Sequence, residues 1–272
     1  MTAHLFAIWA IGLATFKGGL RDRLIQSLLW AGLFFLLSTV VFSSFSMRQP
    51  LEVAINFSLA TVQILTILIT LFLGLNLLSR EIETRAGYLI IGQPISRSTY
   101  LLGKFCGLCL LSLLVVIILG LCASGSLFLV KLGLQAPPPI VWGNLLVAHL
   151  GILEISLLLG AVTLLFTALA TSAVLPFLMT IGVWFIGQNT QAVKNYLEAG
   201  LAEQPLPSFL TWLVKASYYL FPNLSLFDFK VYAIYGLNLL PQQISYALGY
   251  GMTYTLLLLL LATTLFQKRD MT

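Results

Sequence analysis

Residues 56–78 read "NFSLATVQILTILITLFLGLNLL". The stretch carries no formal charge, and a bilayer-spanning helix needs about 20 mostly apolar residues. Its apolar and polar positions do not alternate as those of a half-buried strand do. In lipid every backbone polar group needs an internal partner, so a run of this kind is a helix. The chain then changes character at once. Residues 79–97, "SREIETRAGYLIIGQPISR", hold Arg80, Glu81, Glu83, Arg85 and Arg97 in a protein only 8% charged overall.

The rest of the composition agrees with the first run. The chain has 272 residues, 59% of them hydrophobic, and a mean hydropathy of +0.99. A soluble domain carries about 25% charged residues and about 45–50% apolar ones. This chain has too little polar surface to cover a water-soluble globule. Its net charge of +5 sits at the ends of apolar runs, which suits orientation in a bilayer and not nucleic-acid binding. Cys106, Cys109 and Cys122 lie in one apolar stretch, so they form no disulfide framework.

Six segments are expected to span: 24–42, 56–78, 101–123, 145–168, 173–187 and 244–266, the fifth being the least cleanly apolar. The expected fold is therefore an all-α integral membrane protein with six transmembrane helices. Nine of the Lys and Arg side chains (Lys17, Arg21, Arg23, Arg80, Arg85, Arg97, Lys104, Lys268, Arg269) fall on the side of the termini, and five (Arg48, Lys131, Lys194, Lys215, Lys230) on the other. That bias places both termini in the cytoplasm and the 79–97 stretch in the first cytoplasmic loop. The second such loop, "ATSAV" at 170–174, is short and uncharged.

The first 20 residues have Phe6, Ile8, Trp9 and Leu13 at near-helical spacing and a basic turn after them. They read as an interfacial helix, too short in apolar length to span. Their positive charges follow the apolar part, which is the wrong order for a cleaved signal peptide. "QAPPPIVW" at 135–142 reads as a rigid outer turn. Residues 188–243 read as short helices on, or dipping into, the outer leaflet, with Trp212, Tyr218 and Tyr219 at headgroup depth. No repeat or linker divides residues 1–272, so one domain is expected.

Within the charged loop, Glu81 and Arg85 are four residues apart and can pair on a helix. Tyr88, Leu89 and Ile91 add apolar groups, Gly92 and Pro94 end the turn, and Ser96 or Ser98 can cap the next span. Residues 81–92 thus read as a short amphipathic helix that offers charged and apolar groups together, as a docking element for a soluble partner does. A solvated loop with membrane-orienting charges fits the same residues.

"SREIETRAGYLIIGQPISRSTYLLGKFCG" resembles the signature of the ABC type-2 transporter permease family: Glu81, Glu83 and Arg85 after a span, then Pro94, Ile95, Ser96 and Arg97, then Leu102, Gly103 and Lys104. "FKGGLRDRL" before the first span is similar to the exit of that family's elbow helix. "FPNLSLFDFKVYAIYG" and "LFQKRDMT" are similar to its C-terminal third. The nearest likeness is to small six-span permeases, including those of nitrous-oxide-reductase maturation. The resemblance implies an elbow helix at 1–20 and a coupling helix at 81–92. It implies a second permease subunit as partner, in a homo- or heterodimer, and a separate ABC ATP-binding subunit. That subunit would dock through Arg80, Glu81, Glu83, Arg85, Tyr88, Leu89, Pro94 and Arg97. ATP and magnesium would belong to it, with no cofactor bound by this chain. It further implies export, in the inner (plasma) membrane. "GYLIIGQP" at 87–94 copies the glycine spacing of a phosphate-binding loop, but has Gln93 and Pro94 where Lys and Ser or Thr are needed.

Glu154 is the one acidic residue deep in a spanning segment. A charge there costs about 3 kcal/mol or more, so it should face protein or water, either lining a pathway or holding helices together. His149 lies roughly 140° away around the helix, so the two make no metal pair. Cys106 and Cys109 share a helix face, with Cys122 about 20 Å further on; small apolar packing suits them better than metal or redox chemistry. Gly103 and Gly107 form a face for close helix contact. No H-E-x-x-H or G-x-S-x-G motif supports an intramembrane enzyme. A non-transporting scaffold or sensor subunit would need no docking helix at 81–92.

Overall fold

The computed structural model describes residues 2–46, 48–74, 96–134, 139–170, 172, 174–198 and 208–268. Among them there is no strand. The helices are α1 (Thr2–Arg21), α2 (Arg23–Ser44), α3 (Pro50–Gly74), α4 (Arg97–Leu132), α5 (Trp142–Leu169), α6 (Val174–Glu198), α7 (Ser208–Leu220), α8 (Lys230–Tyr235) and α9 (Pro241–Lys268), with a 3₁₀ turn at Leu224–Phe227. The expected coupling helix at 81–92, the start of the proline turn (135–138) and positions 171 and 173 of "ATSAV" lie outside the described residues.

Local chemistry sets the helix ends. The Asp22 carboxylate accepts from the Leu24 N–H at 2.8 Å and starts α2. Ser96 caps α4, its hydroxyl accepting from the Thr99 N–H at 3.3 Å. Pro50 and Pro241 stand at the first positions of α3 and α9, where a missing N–H costs nothing.

Among the described residues, five helices are long and apolar enough to cross a membrane: α2, α3, α4, α5 and α9. The expected fifth span is the first half of α6. That helix runs on through "GQNTQAVKNYLE" to Glu198, and these polar turns dilute its apolar length. α4 is longer than the expected 101–123. Its 36 residues reach about 54 Å, well past a hydrocarbon core of about 30 Å.

α5 is the central post. It packs against α9, α3, α4 and α6, and 72% of its most apolar stretch is buried, as is 67% of that of α3. The figures for α2 and α9 are 22% and 28%. The large apolar side chains these two leave uncovered, Trp30, Phe34 and Leu37 on α2 and Leu256 and Leu260 on α9, suit contact with lipid tails. Between α3 and α4 the Thr70 and Ser112 hydroxyls share a buried hydrogen bond of 3.2 Å.

The structure decides which helix meets the Gly103–Gly107 face: it is α1. The two helices run in the same direction along their contact. Ile11 lies against Gly103, Thr15 against Gly107, and Gly19 against Leu111, with the His4 Nδ1 3.4 Å from the Thr99 Oγ1. A Cβ on Gly107 would strike the Thr15 side chain and the Gly12 carbonyl. The elbow segment is therefore a helix docked along the first turns of α4, with Leu5, Phe6 and Trp9 turned outward.

The segment after α7 is set more deeply than its composition suggests. Leu224 and Phe227 are buried; the Phe227 carbonyl abuts Gly151 of α5 and the Pro222 carbonyl abuts Gly187 of α6. Irregular backbone at such a place needs partners. Asn223 supplies several: its amide donates to Gln191 Oε1 at 2.8 Å, its N–H to the Tyr250 hydroxyl at 3.0 Å, and its Oδ1 accepts from the Ser225 N–H and hydroxyl. The Asn144 side-chain amide donates to the Tyr232 and Leu237 carbonyls at 2.8 Å each. Residues 222–229 thus plug one end of the bundle. α7 leaves Trp212 and Tyr219 exposed, and Lys194 sits over the Tyr218 ring at 4.2 Å, as an aromatic belt at headgroup depth requires.

If the α1–α4 contact depends on the absence of side chains, Gly107→Leu should destabilise the protein by about 1–3 kcal/mol through overpacking. Gly125→Leu, where an added Cβ meets nothing within 4 Å, should be near neutral. Melting temperatures in one detergent compare the two.

Candidate functional site

Two places gather the polar chemistry of the helices. The first is the start of α4. The Arg97 Nη1 donates to the carbonyls of Phe266 (3.5 Å) and Gln267 (3.2 Å) at the C-terminal end of α9. The Gln267 amide donates to the Ser98 hydroxyl at 3.2 Å, and Ser96 and Thr99 share a 2.6 Å contact. The last carbonyls of a helix have no partner within it and carry its negative dipole end, so a guanidinium there is a cap. Arg97, one of the residues expected to serve docking, caps the end of α9. Two turns further on, Lys104 is buried with its ammonium 5.3 Å from the Tyr100 ring centre. The first turn of α4 therefore ties α1, α9 and the end of the charged loop together. Arg80, Glu81, Glu83, Arg85, Tyr88, Leu89 and Pro94 lie outside the described residues.

The second place is Glu154, near the middle of α5. It is 8% exposed, and no hydrogen bond or ion pair reaches its carboxyl among the described residues. Its Oε2 lies over Gly251 of α9, where a Cβ would come within 2.9 Å. A recess of about 310 Å³ opens beside it, lined by Phe105, Glu154, Leu157, Met252, Thr255, Leu256 and Leu259. Met252 and Leu256 are exposed at its rim. Gly251 and Thr255 escaped notice in the sequence; the one signal was the small and polar run "GYGMTYT" at 249–255, inside an otherwise apolar last span.

His149 stands apart from Glu154, as the helical spacing implies. Its Nδ1 is 2.7 Å from the Leu145 carbonyl and acts as the donor there, and its ring packs against Gly120 of α4. The Cys106 Sγ packs against Gly12 of α1, and Cys109 and Cys122 are half-buried free thiols.

With this geometry in hand, comparison with known families identifies the chain. The family described as ABC-2 family transporter protein matches residues 35–271, from the middle of α2 to the end. No curated protein matches. The chain belongs to the ABC-2 transporter family, as its charged loop suggested. It is a multi-pass membrane protein and the membrane component of an ABC transporter, and membership implies association with an ABC ATP-binding subunit.

Arg97→Ala should remove the cap on α9 at a cost of about 1 kcal/mol, and Arg97→Lys should recover part of it. A lower melting temperature, with earlier proteolysis after Phe266 in the Ala variant, is the expected result.

Proposed function

We propose that this chain is one of two permease subunits that together form an export pathway in the inner (plasma) membrane, each driven by a separate ATP-binding subunit docked on residues 81–92. The observation that carries the reading is the position of the charged loop. It joins α3 to α4 and leads directly into Arg97, the residue that holds the end of α9. A partner bound there acts on three helices at once. The surplus of Lys and Arg at that end supports a cytoplasmic location for it and for both termini. ATP and magnesium belong to the partner. Within the loop, Glu81, Glu83 and Arg85 set orientation, and Tyr88 and Leu89 supply apolar contact. Residues 1–272 act as one transmembrane unit. Glu154 lines the pathway beside α9, which accounts for a carboxyl that packs over Gly251 without a hydrogen-bond partner among the described residues.

The test is co-purification from the native host. Wild type should bring down an ATP-binding subunit, and a variant with residues 81–92 replaced by Gly and Ser should not. Glu81→Ala with Glu83→Ala should lower ATPase stimulation at least tenfold while the membrane level of the protein stays unchanged. Capture of the same subunit by the replaced loop would refute the docking reading.

A further inference from the structure

Glu154 has a chemical problem that its surroundings do not solve. It sits at the middle of α5, and Thr255, the other polar residue of the recess, at the middle of α9. Both are 8% exposed. Other threonines in these two helices return their hydroxyl to a carbonyl one turn back: Thr163 to Leu159, Thr167 to Thr163, Thr253 to Gly249, Thr263 to Leu260 and Thr264 to Leu261, at 2.7–2.9 Å. The Thr255 hydroxyl does not, and has no partner among the described residues. Two unpartnered polar groups thus share one otherwise apolar recess, and buried polar groups without partners are rare enough to need a reason.

From this recess we infer a binding site for a hydrophobic amine, entered from the side of the bundle between α4, α5 and α9. The chemistry eliminates the other classes. An anion would meet the carboxyl. A bare calcium or magnesium ion needs six or more oxygen ligands and a zinc ion three or four protein ligands, and no group of three or more His, Cys, Asp or Glu stands together among the described residues. A purely apolar ligand would leave the carboxyl as it is. An amine with an apolar body meets both demands. It crosses lipid as the neutral base. At the site the Glu154 O–H bond breaks and an N–H bond forms, leaving an ammonium beside a carboxylate. The pair is neutral whichever atom holds the proton. Thr255 offers a hydroxyl to the same headgroup, and Phe105, Leu157 and Leu259 surround the first part of the chain. At about 310 Å³ the recess is at the small end of ligand pockets, and its open side lets a longer tail run out past Met252 and Leu256 into lipid.

This inference rests on the reading of Glu154 as a pathway group, but not on the ATPase docking. Dicyclohexylcarbodiimide, an apolar reagent for protonated carboxyls, tests both parts on the protein in lipid nanodiscs, with the adduct located by mass spectrometry. Glu154 should be labelled, and Glu154→Gln should carry no adduct at that position. N,N-dimethyldodecylamine, a tertiary amine that forms no stable amide, should lower the labelling rate at least tenfold. Dodecyltrimethylammonium, which has no N–H, should protect far less. Labelling that the amine does not slow would overturn the ligand class and leave the pathway reading standing. No label at Glu154 in wild type would overturn both, because the carboxyl would then be covered.

Discussion

Everything in this fold follows from one constraint: in hydrocarbon a helix satisfies its own backbone, and nothing apolar then drives one helix against another, because lipid is as good a neighbour. Association falls to close packing, and small residues supply it. α1 meets α4 at Gly103 and Gly107, α2 meets α3 and α4 at Gly32, and α3 meets α5 where Gly74 faces Thr163. α4 meets α5 where Gly120 faces His149 and Gly160 faces Leu108, and α5 meets α9 where Gly251 faces Glu154. At each seat a Cβ on the glycine would press on the neighbour. These glycines are thus places where the helices are joined.

The same constraint explains what could be read in the sequence. Apolar length measures transfer into lipid, so the helices near 24–42, 56–78, 101–123, 145–168 and 244–266 were legible, as were the cap at Ser96 and the family signature in the charged loop. Neighbour relations were not. Gly103 and Gly107 announce a close contact without naming α1. Residues 222–229 read as an outer segment of mixed polarity, and only the partners of Asn223 show why they can be buried. The full length of α4 was missed because its last turns, "SGSLFLVKL", are less uniformly apolar than its middle, and the polar end of α6 lengthened a helix that hydropathy alone would have stopped at Gly187.

Glu154 marks the limit from the other side. A lone carboxyl in an apolar run was visible at once as an expensive residue. Whether it held helices together or faced something else depended on residues of α9, which are far away in sequence. The structure sets Gly251 of α9 beneath it and shows no hydrogen bond to its carboxyl among the described residues.

The two polar places share α9. Its C-terminal carbonyls are held by Arg97, and its middle forms one wall of the recess beside Glu154. A continuous helix joins them, unbroken from Pro241 to Lys268. α4 repeats the connection, carrying Arg97 at its start and Phe105 at the recess two turns later. A displacement at the start of α4 cannot be absorbed by a loop before it reaches the recess, because none lies between. In the proposed assembly, a partner seated on residues 81–92 would therefore move two of the three walls around Glu154 directly. α5, packed on four other helices, would stay. A site with two movable walls and one fixed carboxyl is what an energy-driven change in affinity needs.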